Sequence, residues 1–415
     1  MSSILIVGAG QAGLQLGLGL LRAGHDVTVV SNRTPQDIHD GKVMSSQCMF
    51  DAALQHERDL GLAYWEQECP PVEGISLAVP APPGVETPTG RVIDWASRLD
   101  RYAQSVDQRV KIPGWMEELE RRGGRLVIHD VGADDLERYT QEHDLVVVAA
   151  GKGEIVRLFE RDASRSPYEQ PMRALALTYV TGMTPRPEYS AVCFNLVPTV
   201  GEYFVFPALT TTGACEIMVF EGVPGGPMDC WGDVTTPDEH LARSRWILDT
   251  FMPWEAERCR DVELTDPNGI LVGRFPPTVR KPVAELPSGR LVLGLADAIM
   301  LNDPITGQGS NNASKMAAAY LEAIAAQGDA PYDRAFMEQT FESFWNGYGQ
   351  FATTWTNALL SPPPEHVLTL LTAGNQSPQL AHRFANGFDD PRDYFEWFMF
   401  PDKADAYLAE VGAAG

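Results

Sequence analysis

This 415-residue chain has no uninterrupted apolar stretch approaching the roughly 18 residues of a membrane-spanning helix. Its apolar N-terminal region, Ile4 to Leu21, is punctuated by five glycines and two glutamines and follows no basic segment, so it does not read as a signal peptide. Basic residues are scarce: 32 Lys and Arg face 56 Asp and Glu, for a net charge of -24. A duplex-binding surface needs clustered cations, and an anionic leaflet repels such a chain, so nucleic acid and membrane are excluded as expected partners. The six cysteines (Cys48, Cys69, Cys193, Cys215, Cys230, Cys259) are scattered, with no C-x-x-C pair and no metal-ligand spacing. Neither a disulfide framework nor a metal site is expected, and reduced thiols point to the cytoplasm. The eight histidines are also dispersed, and no Ser-His-Asp or paired-carboxylate constellation stands out. Catalysis by acid and base side chains is therefore not expected.

What the chain does have begins with strand, glycine-rich turn, helix, strand. SSILIV runs into GAGQAG, then LQLGLGLLRAG with Gly24 as a natural helix stop, then HDVTVV. A helix from about Pro113 to Arg122 leads through Gly123 and Gly124 into RLVIHD, and DLVVVAAG follows as a continuous apolar run. Runs without alternation mark strands buried on both faces, as in a parallel sheet covered by helices. From about 170 to 270 the texture changes to ALALTYV, YSAVCFNLV, EYFVFPAL and ACEIMVFEG, which predicts an antiparallel or mixed sheet. RLVLGLAD and a helix through NNASKMAAAYLEAIAA then resume the first pattern. Beyond Asp333 an aromatic stripe at helical spacing (Phe341, Phe344, Trp345, Tyr348, Phe351, Trp355) predicts a helix packed on the domain body.

Gly8-x-Gly10-x-x-Gly13, with Gln11 and Ala12 between, sits directly after a buried strand and opens a helix. The first glycine permits the tight turn, the second a close approach to a pyrophosphate, the third close helix–strand packing; the helix N-terminus adds free N–H groups. The usual ribose-binding carboxylate about 20 residues on is missing. The second strand ends in Ser31, Asn32 and Arg33 instead, so a loosely held dinucleotide is expected.

A second signature lies downstream. Asp297 ends a buried strand, where it can bond ribityl hydroxyls. Pro304-Ile305-Thr306-Gly307-Gln308-Gly309-Ser310-Asn311-Asn312 then opens a long helix, whose dipole would stabilise negative charge on a reduced flavin. The expected fold is α/β: a Rossmann-like FAD-binding domain in two parts (1–168 and 271–330), an inserted mixed β-sheet substrate domain (169–270) and a C-terminal helical segment (331–415).

GAGQAGLQLGLGL, DLVVVAAGKG, EYFVFPAL and GLADAIMLNDPITGQGSNNA together resemble FAD-dependent aromatic monooxygenases of the p-hydroxybenzoate hydroxylase fold, and within them the two-component styrene and indole monooxygenases. The resemblance implies an oxygenase component that receives reduced FAD from a separate NADH-dependent flavin reductase. With O2, a flavin C4a-hydroperoxide then epoxidises a small aromatic such as indole or styrene. Single-component relatives carry an Asp-Gly motif after the middle strand; Ala149-Ala150-Gly151-Lys152-Gly153 lacks that Asp, which disfavours a self-sufficient NAD(P)H-dependent hydroxylase. A non-catalytic flavin carrier is the other alternative. A homodimer is one assembly open to the chain.

The same resemblance implies the pocket. Ser45-Ser46-Gln47-Cys48-Met49 is similar to the Ser-x-Gln-x-Met of indole-type members, and Val72, Ile75 and Ala96 match aliphatic or small residues of that branch. These residues are expected on one wall, with Phe204, Phe206, Pro207 and Pro304 on the other. Gln47 and Ser45 are expected to bond an indole N–H. Arg109, at the start of a helix, is expected on the flavin phosphates.

Overall fold

The computed structural model describes residues 1–151 and 153–412. Its first sheet has the strand order Val283–Glu285, Leu291–Gly294, Leu145–Val148, Ser3–Val7, Asp26–Ser31, Arg125–Ile128. All neighbours run parallel except the edge pair formed by the first two. Ile4 to Val7 and Leu145 to Val148 are buried throughout, which accounts for their unbroken apolar sequences. The chain leaves Ser3–Val7 for the strand on one side and later returns on the other. Such a reversal opens a crevice at the carboxyl ends of the strands.

The helix Gln11–Arg22 emerges into that crevice and lies against the helix Gly309–Gln327. Small residues set their spacing: a Cβ on Gly19 would come within 2.5 Å of Leu321. Gln15 Nε2 donates to the Ser314 carbonyl at 2.9 Å, fixing the register of the two helices. Sequence segments some 300 residues apart are thereby brought into one site.

The second sheet is mixed, in the order Glu263–Leu264, Ala174–Thr181, Gly213–Gly222, Gly201–Thr210, Ala191–Val197, Pro71–Pro80, Arg91–Gln104, with Ile270–Gly273 also pairing on Ala174–Thr181. It thus extends beyond the expected 169–270. Pro71–Pro80 and Arg91–Gln104 come from the stretch assigned to the first domain, and Ile270–Gly273 carries the sheet past residue 270. Pro71–Pro80 pairs in parallel with Ala191–Val197, a crossover that no local turn signal announces.

One face of this sheet packs under the helix Pro237–Phe251. The other face, with Phe194, Phe204, Phe206 and Val219, is covered by the C-terminal helices through Trp355, Phe384 and Phe388. The aromatic stripe divides between two cores: Phe341, Phe344, Trp345 and Tyr348 join the nucleotide domain, and Trp355 joins the sheet domain. Among the described residues no helix is long and apolar enough to cross a membrane, and no His, Cys, Asp and Glu group has the arrangement of a metal site.

Candidate functional site: a glycine-lined crevice opening onto an aromatic cavity

Each glycine of the first turn has its own reason. Gly8 has φ 115°, and a Cβ there would strike Ala149 and Ala150 of the neighbouring strand end. A Cβ on Gly13 would collide with the Gly8 carbonyl oxygen. Gly10 differs: its φ of -80° suits any residue, and its missing Cβ faces open space. Gly307 (φ 64°) and Gly309 likewise face open space. Gln11 Nε2 reaches the Ser310 carbonyl at 3.2 Å, so the two glycine turns border one crevice.

That crevice has unmet polar groups. Gln11 Oε1 and both amide atoms of Asn312 are buried without a hydrogen-bond partner. Buried polar atoms seldom stay unpaired, so these mark where a ligand's polar groups belong. Ala12 is buried at the helix start. Ser31 turns its hydroxyl onto its own loop, donating to the Arg33 carbonyl at 2.7 Å; Asn32 is exposed beside it, and Arg33 leans on Met44. Asp297 is exposed and lies in the short turn Ala296–Ala298, three residues past the strand end at Gly294 rather than on the strand itself, and follows Ala296 at φ 52°. A Cβ on Gly151 would lie 2.8 Å from Asp297 Cβ, so the Ala150-Gly151 pair leaves room for that carboxylate. Lys152 lies outside the described residues. Open glycine faces, orphaned amides and a helix N-terminus suit a flavin dinucleotide.

A cavity adjoins the second turn, with about 350 Å³ of empty space including the part open to solvent. Pro304, Thr306 and Gly307 form its cofactor side; Val192, Phe194, Phe204, Phe206 and Val219 form its sheet side; Ser46, Cys48, Phe50 and Phe388 close it. Strand alternation puts the five sheet residues on one face. Asn311 latches the enclosing loop: its Nδ2 donates to the Cys48 carbonyl and its Oδ1 accepts from the Phe50 N–H, at 2.9 and 2.8 Å. Its amide is thereby committed to protein rather than to cofactor. Gln308 similarly turns its side chain to Tyr348 and Phe388.

Of the residues expected in the pocket, Ser46, Phe204, Phe206 and Pro304 line the cavity. In the segment 45–49, Ser46 and Cys48 line the cavity, while Ser45, Gln47 and Met49 do not and are bonded to other parts of the chain. Gln47 accepts from Ser45 Oγ at 2.7 Å and donates to the Tyr179 hydroxyl at 3.2 Å. Met49 sulfur receives Gln11 Nε2 and Lys111 Nζ. Val72 and Ile75 are buried but do not line the cavity; Ile75 lies beside the lining residue Val192 on the neighbouring strand. Ala96 is exposed, because alternation along its strand sends Trp95 inward instead. Pro207 belongs to the opposite sheet face from Phe204 and Phe206.

Arg109 also has a different role from the expected phosphate contact. Its guanidinium is 2% exposed and is held by Asp107 at 2.9 Å, by both oxygens of Asp266 at 3.0 Å, and by Thr210 Oγ1 at 3.0 Å. Burial alone would raise the Asp266 carboxyl, but Arg109 holds it below its ordinary value. With its donors spent, Arg109 ties the start of its helix to the sheet domain.

Sequence reasoning missed Val192, Phe194, Val219 and Phe388, and with them Phe50 and Thr306. The first three share the period-two face of Phe204 and Phe206 and could have been read from it. Phe388 sits in a turn with no motif around it.

The family profile described as "Styrene monooxygenase A putative substrate binding domain" matches residues 151–258. A styrene monooxygenase StyA from Pseudomonas fluorescens is 31% identical over 408 residues, covering 96% of this chain and 95% of its own. A StyA from a Pseudomonas species is 31% identical over 415 residues, covering 98% and 97%. Among solved structures, a flavoprotein/dehydrogenase from Cytophaga hutchinsonii matches with a TM-score of 0.68 at 14% identity, over 99% of this chain and 98% of that one. PqsL from Pseudomonas aeruginosa, solved with 2-aminobenzoylacetate, matches at 0.62 and 18% identity, over 97% and 99%. A flavin-dependent brominase matches at 0.60 and 14%, over 100% and 94%. The solved structures share the fold; the two near-full-length relatives carry the assignment further. The chain is a flavin-dependent monooxygenase and belongs to the styrene monooxygenase family.

Proposed function

We propose that this chain is the oxygenase component of a two-component system. It takes reduced FAD made by a separate NADH-dependent flavin reductase and uses O2 to epoxidise small vinyl-aromatic compounds, indole foremost and styrene second. The observation that carries the reading is the shape of the site. An apolar cavity walled by Phe194, Phe204, Phe206 and Phe388 opens directly onto the glycine turn Pro304–Gly307, without a titratable side chain among its lining residues other than Cys48.

Reduced flavin held in the crevice would supply the electrons that activate O2 for transfer of one oxygen atom, the other leaving as water. The chain's own residues do the rest. Gly10, Gly307 and Gly309 let backbone approach the cofactor, Gln11 and Asn312 offer it polar partners, and the aromatic walls exclude water and hold a flat substrate. Burial pushes the Cys48 thiol far up, so it stays neutral and unreactive. Ser46 supplies a hydroxyl on the cavity wall for an indole N–H, while Gln47 braces the loop from behind. The missing Asp after the middle strand supports delivery of flavin already reduced. Oxygen uptake with indole tests this: NADH alone should give none above background, and NADH with a flavin reductase should give sustained uptake with indigo as the coloured end product. Uptake with NADH alone would favour a single-component enzyme.

A further inference from the structure

Of the residues lining the aromatic cavity, one comes from the C-terminal segment, Phe388. Its ring stands 5.0 Å from Phe194, 5.7 Å from Phe50 and 4.9 Å from Trp355. What fixes its backbone is a closed circuit of hydrogen bonds. Gln308 Nε2 donates to the Phe388 carbonyl at 2.9 Å. Gln308 Oε1 accepts from the Tyr348 hydroxyl at 3.1 Å. That hydroxyl accepts from Lys315 Nζ at 2.8 Å, and Lys315 donates again to the Asp389 carbonyl at 2.6 Å. The circuit begins and ends on the adjacent carbonyls of residues 388 and 389.

Donor and acceptor bookkeeping makes the circuit directional. An ammonium only donates, so the Tyr348 hydroxyl must give its own proton to Gln308. That fixes which way the Gln308 amide points. Tyr348 reaches this place from a single turn of π-helix, Trp345–Gly349, interrupting the helical run Arg334–Leu359. Such turns are uncommon and shift the side chains beyond them by one position. The ammonium is also placed against the Tyr348 ring, 4.2 Å from its centroid. Burial pushes the Lys315 ammonium down to about 8, a cost that a merely solvated surface lysine would not carry.

We propose that Tyr348 and Lys315 are positioning residues for the aromatic substrate, tying the Phe388 wall of the cavity to the cofactor-side turn at Gln308. The inference rests on the monooxygenase reading of the cavity. It makes the cavity's width depend on residues that do not themselves line it.

The test compares wild type, Tyr348→Phe, Lys315→Met, Phe388→Leu and the Tyr348→Phe/Phe388→Leu double variant. Oxidised-FAD affinity is read by fluorescence quenching, and indole affinity by calorimetry on the FAD-loaded protein. KM and kcat are measured with excess flavin reductase. Loss of one hydrogen bond in the circuit should weaken indole binding and raise KM by about threefold to tenfold, with FAD affinity and kcat changed less. Adding Tyr348→Phe to Phe388→Leu should weaken indole binding far less than it does in wild type, since both changes act on the same wall. Should Lys315→Met fail to fold, Tyr348→Phe, which keeps the ring, decides alone. Unchanged indole affinity in Tyr348→Phe, full additivity in the double variant, or loss confined to FAD affinity would each overturn the inference. A wild-type protein that oxidises no vinyl-aromatic with reduced FAD would instead overturn the functional reading beneath it.

Discussion

Gln47 donates from Nε2 to the hydroxyl of Tyr179 at 3.2 Å, and that hydroxyl donates on to the Ser45 carbonyl at 2.7 Å. The glutamine that sequence alone would aim at the substrate is therefore a brace between the pocket loop and the sheet. Gln47 and Tyr179 are both buried, so removing Gln47 takes away the donor to the Tyr179 hydroxyl and the acceptor for Ser45 Oγ.

Gln47→Val should cost about 1–3 kcal/mol of stability by this count and lower turnover of indole and styrene alike. Ser46→Ala, at the cavity surface, should instead leave the unfolding temperature nearly unchanged and cut the preference for indole over styrene. Steady-state kinetics on both substrates, beside thermal melts, would show it. A selective loss of indole turnover in Gln47→Val would restore the direct-contact reading.

Gly10 and Gly13 should separate cofactor binding from folding. Gly10→Val places a side chain in open space at an ordinary φ, so the protein should fold with a near-native melting temperature yet lose FAD binding. Gly13→Ala drives a methyl into the Gly8 carbonyl and should compromise folding itself. Melts and flavin titrations on the two variants check this; a Gly10→Val protein that still binds FAD would move the pyrophosphate elsewhere.

Arg109→Ala should destabilise by about 3–5 kcal/mol, because it leaves Asp107, fully buried, and Asp266, partly buried, without their cation. Arg109→Lys should recover only part of this, since an ammonium cannot span Asp107, Asp266 and Thr210 together. Chemical denaturation measures it. Native stability with weakened FAD binding in Arg109→Lys would return Arg109 to the phosphates.

Glu221 and Asp303 should make stability fall on the alkaline side. Glu221 is fully buried with neither oxygen hydrogen-bonded by a donor, Asp303 is its neighbour, and Glu202 stands directly opposite in register. Arg173 is spent on Glu202, at 2.6 and 2.9 Å. Burial, and then the adjacent carboxylates, raise Glu221 well above its ordinary value; burial chiefly raises Asp303. Groups raised in the folded state stabilise it fully below the unfolded carboxyl value of about 4, and that contribution is lost as pH rises through the folded values. Glu221→Gln can donate to Asp303 without a proton to lose, so its melting temperature should decline less than wild type's from mildly acidic to mildly alkaline buffer. Parallel profiles would refute the raised carboxyl at Glu221.

The nucleotide half of the fold was legible because its determinants are local. Buried parallel strands print unbroken apolar runs, and Gly8, Gly10 and Gly13 sit in the turn that needs them. The sheet domain was legible from 174 to 222 by alternation, but Pro71–Pro80 was not, since a parallel crossover pairing is set by tertiary contact rather than by a turn. In the site, residue types pointed to the right loop but not to the right side of it. Whether Gln47 or Ser46 faces the cavity is decided by tertiary partners of Gln47, chiefly Tyr179, 132 residues away. Phe388 was invisible because its place is fixed by Gln308, 80 residues away.

The most direct test of the central claim uses no nicotinamide at all. FAD reduced chemically under nitrogen is mixed with the protein, then with air-saturated buffer containing indole or styrene, and oxygenated product is counted against flavin in a single turnover. The expected result is near-stoichiometric product from both, more readily from indole, with no NADH and no reductase present. Full reoxidation of the flavin with no oxygenated product would contradict the account.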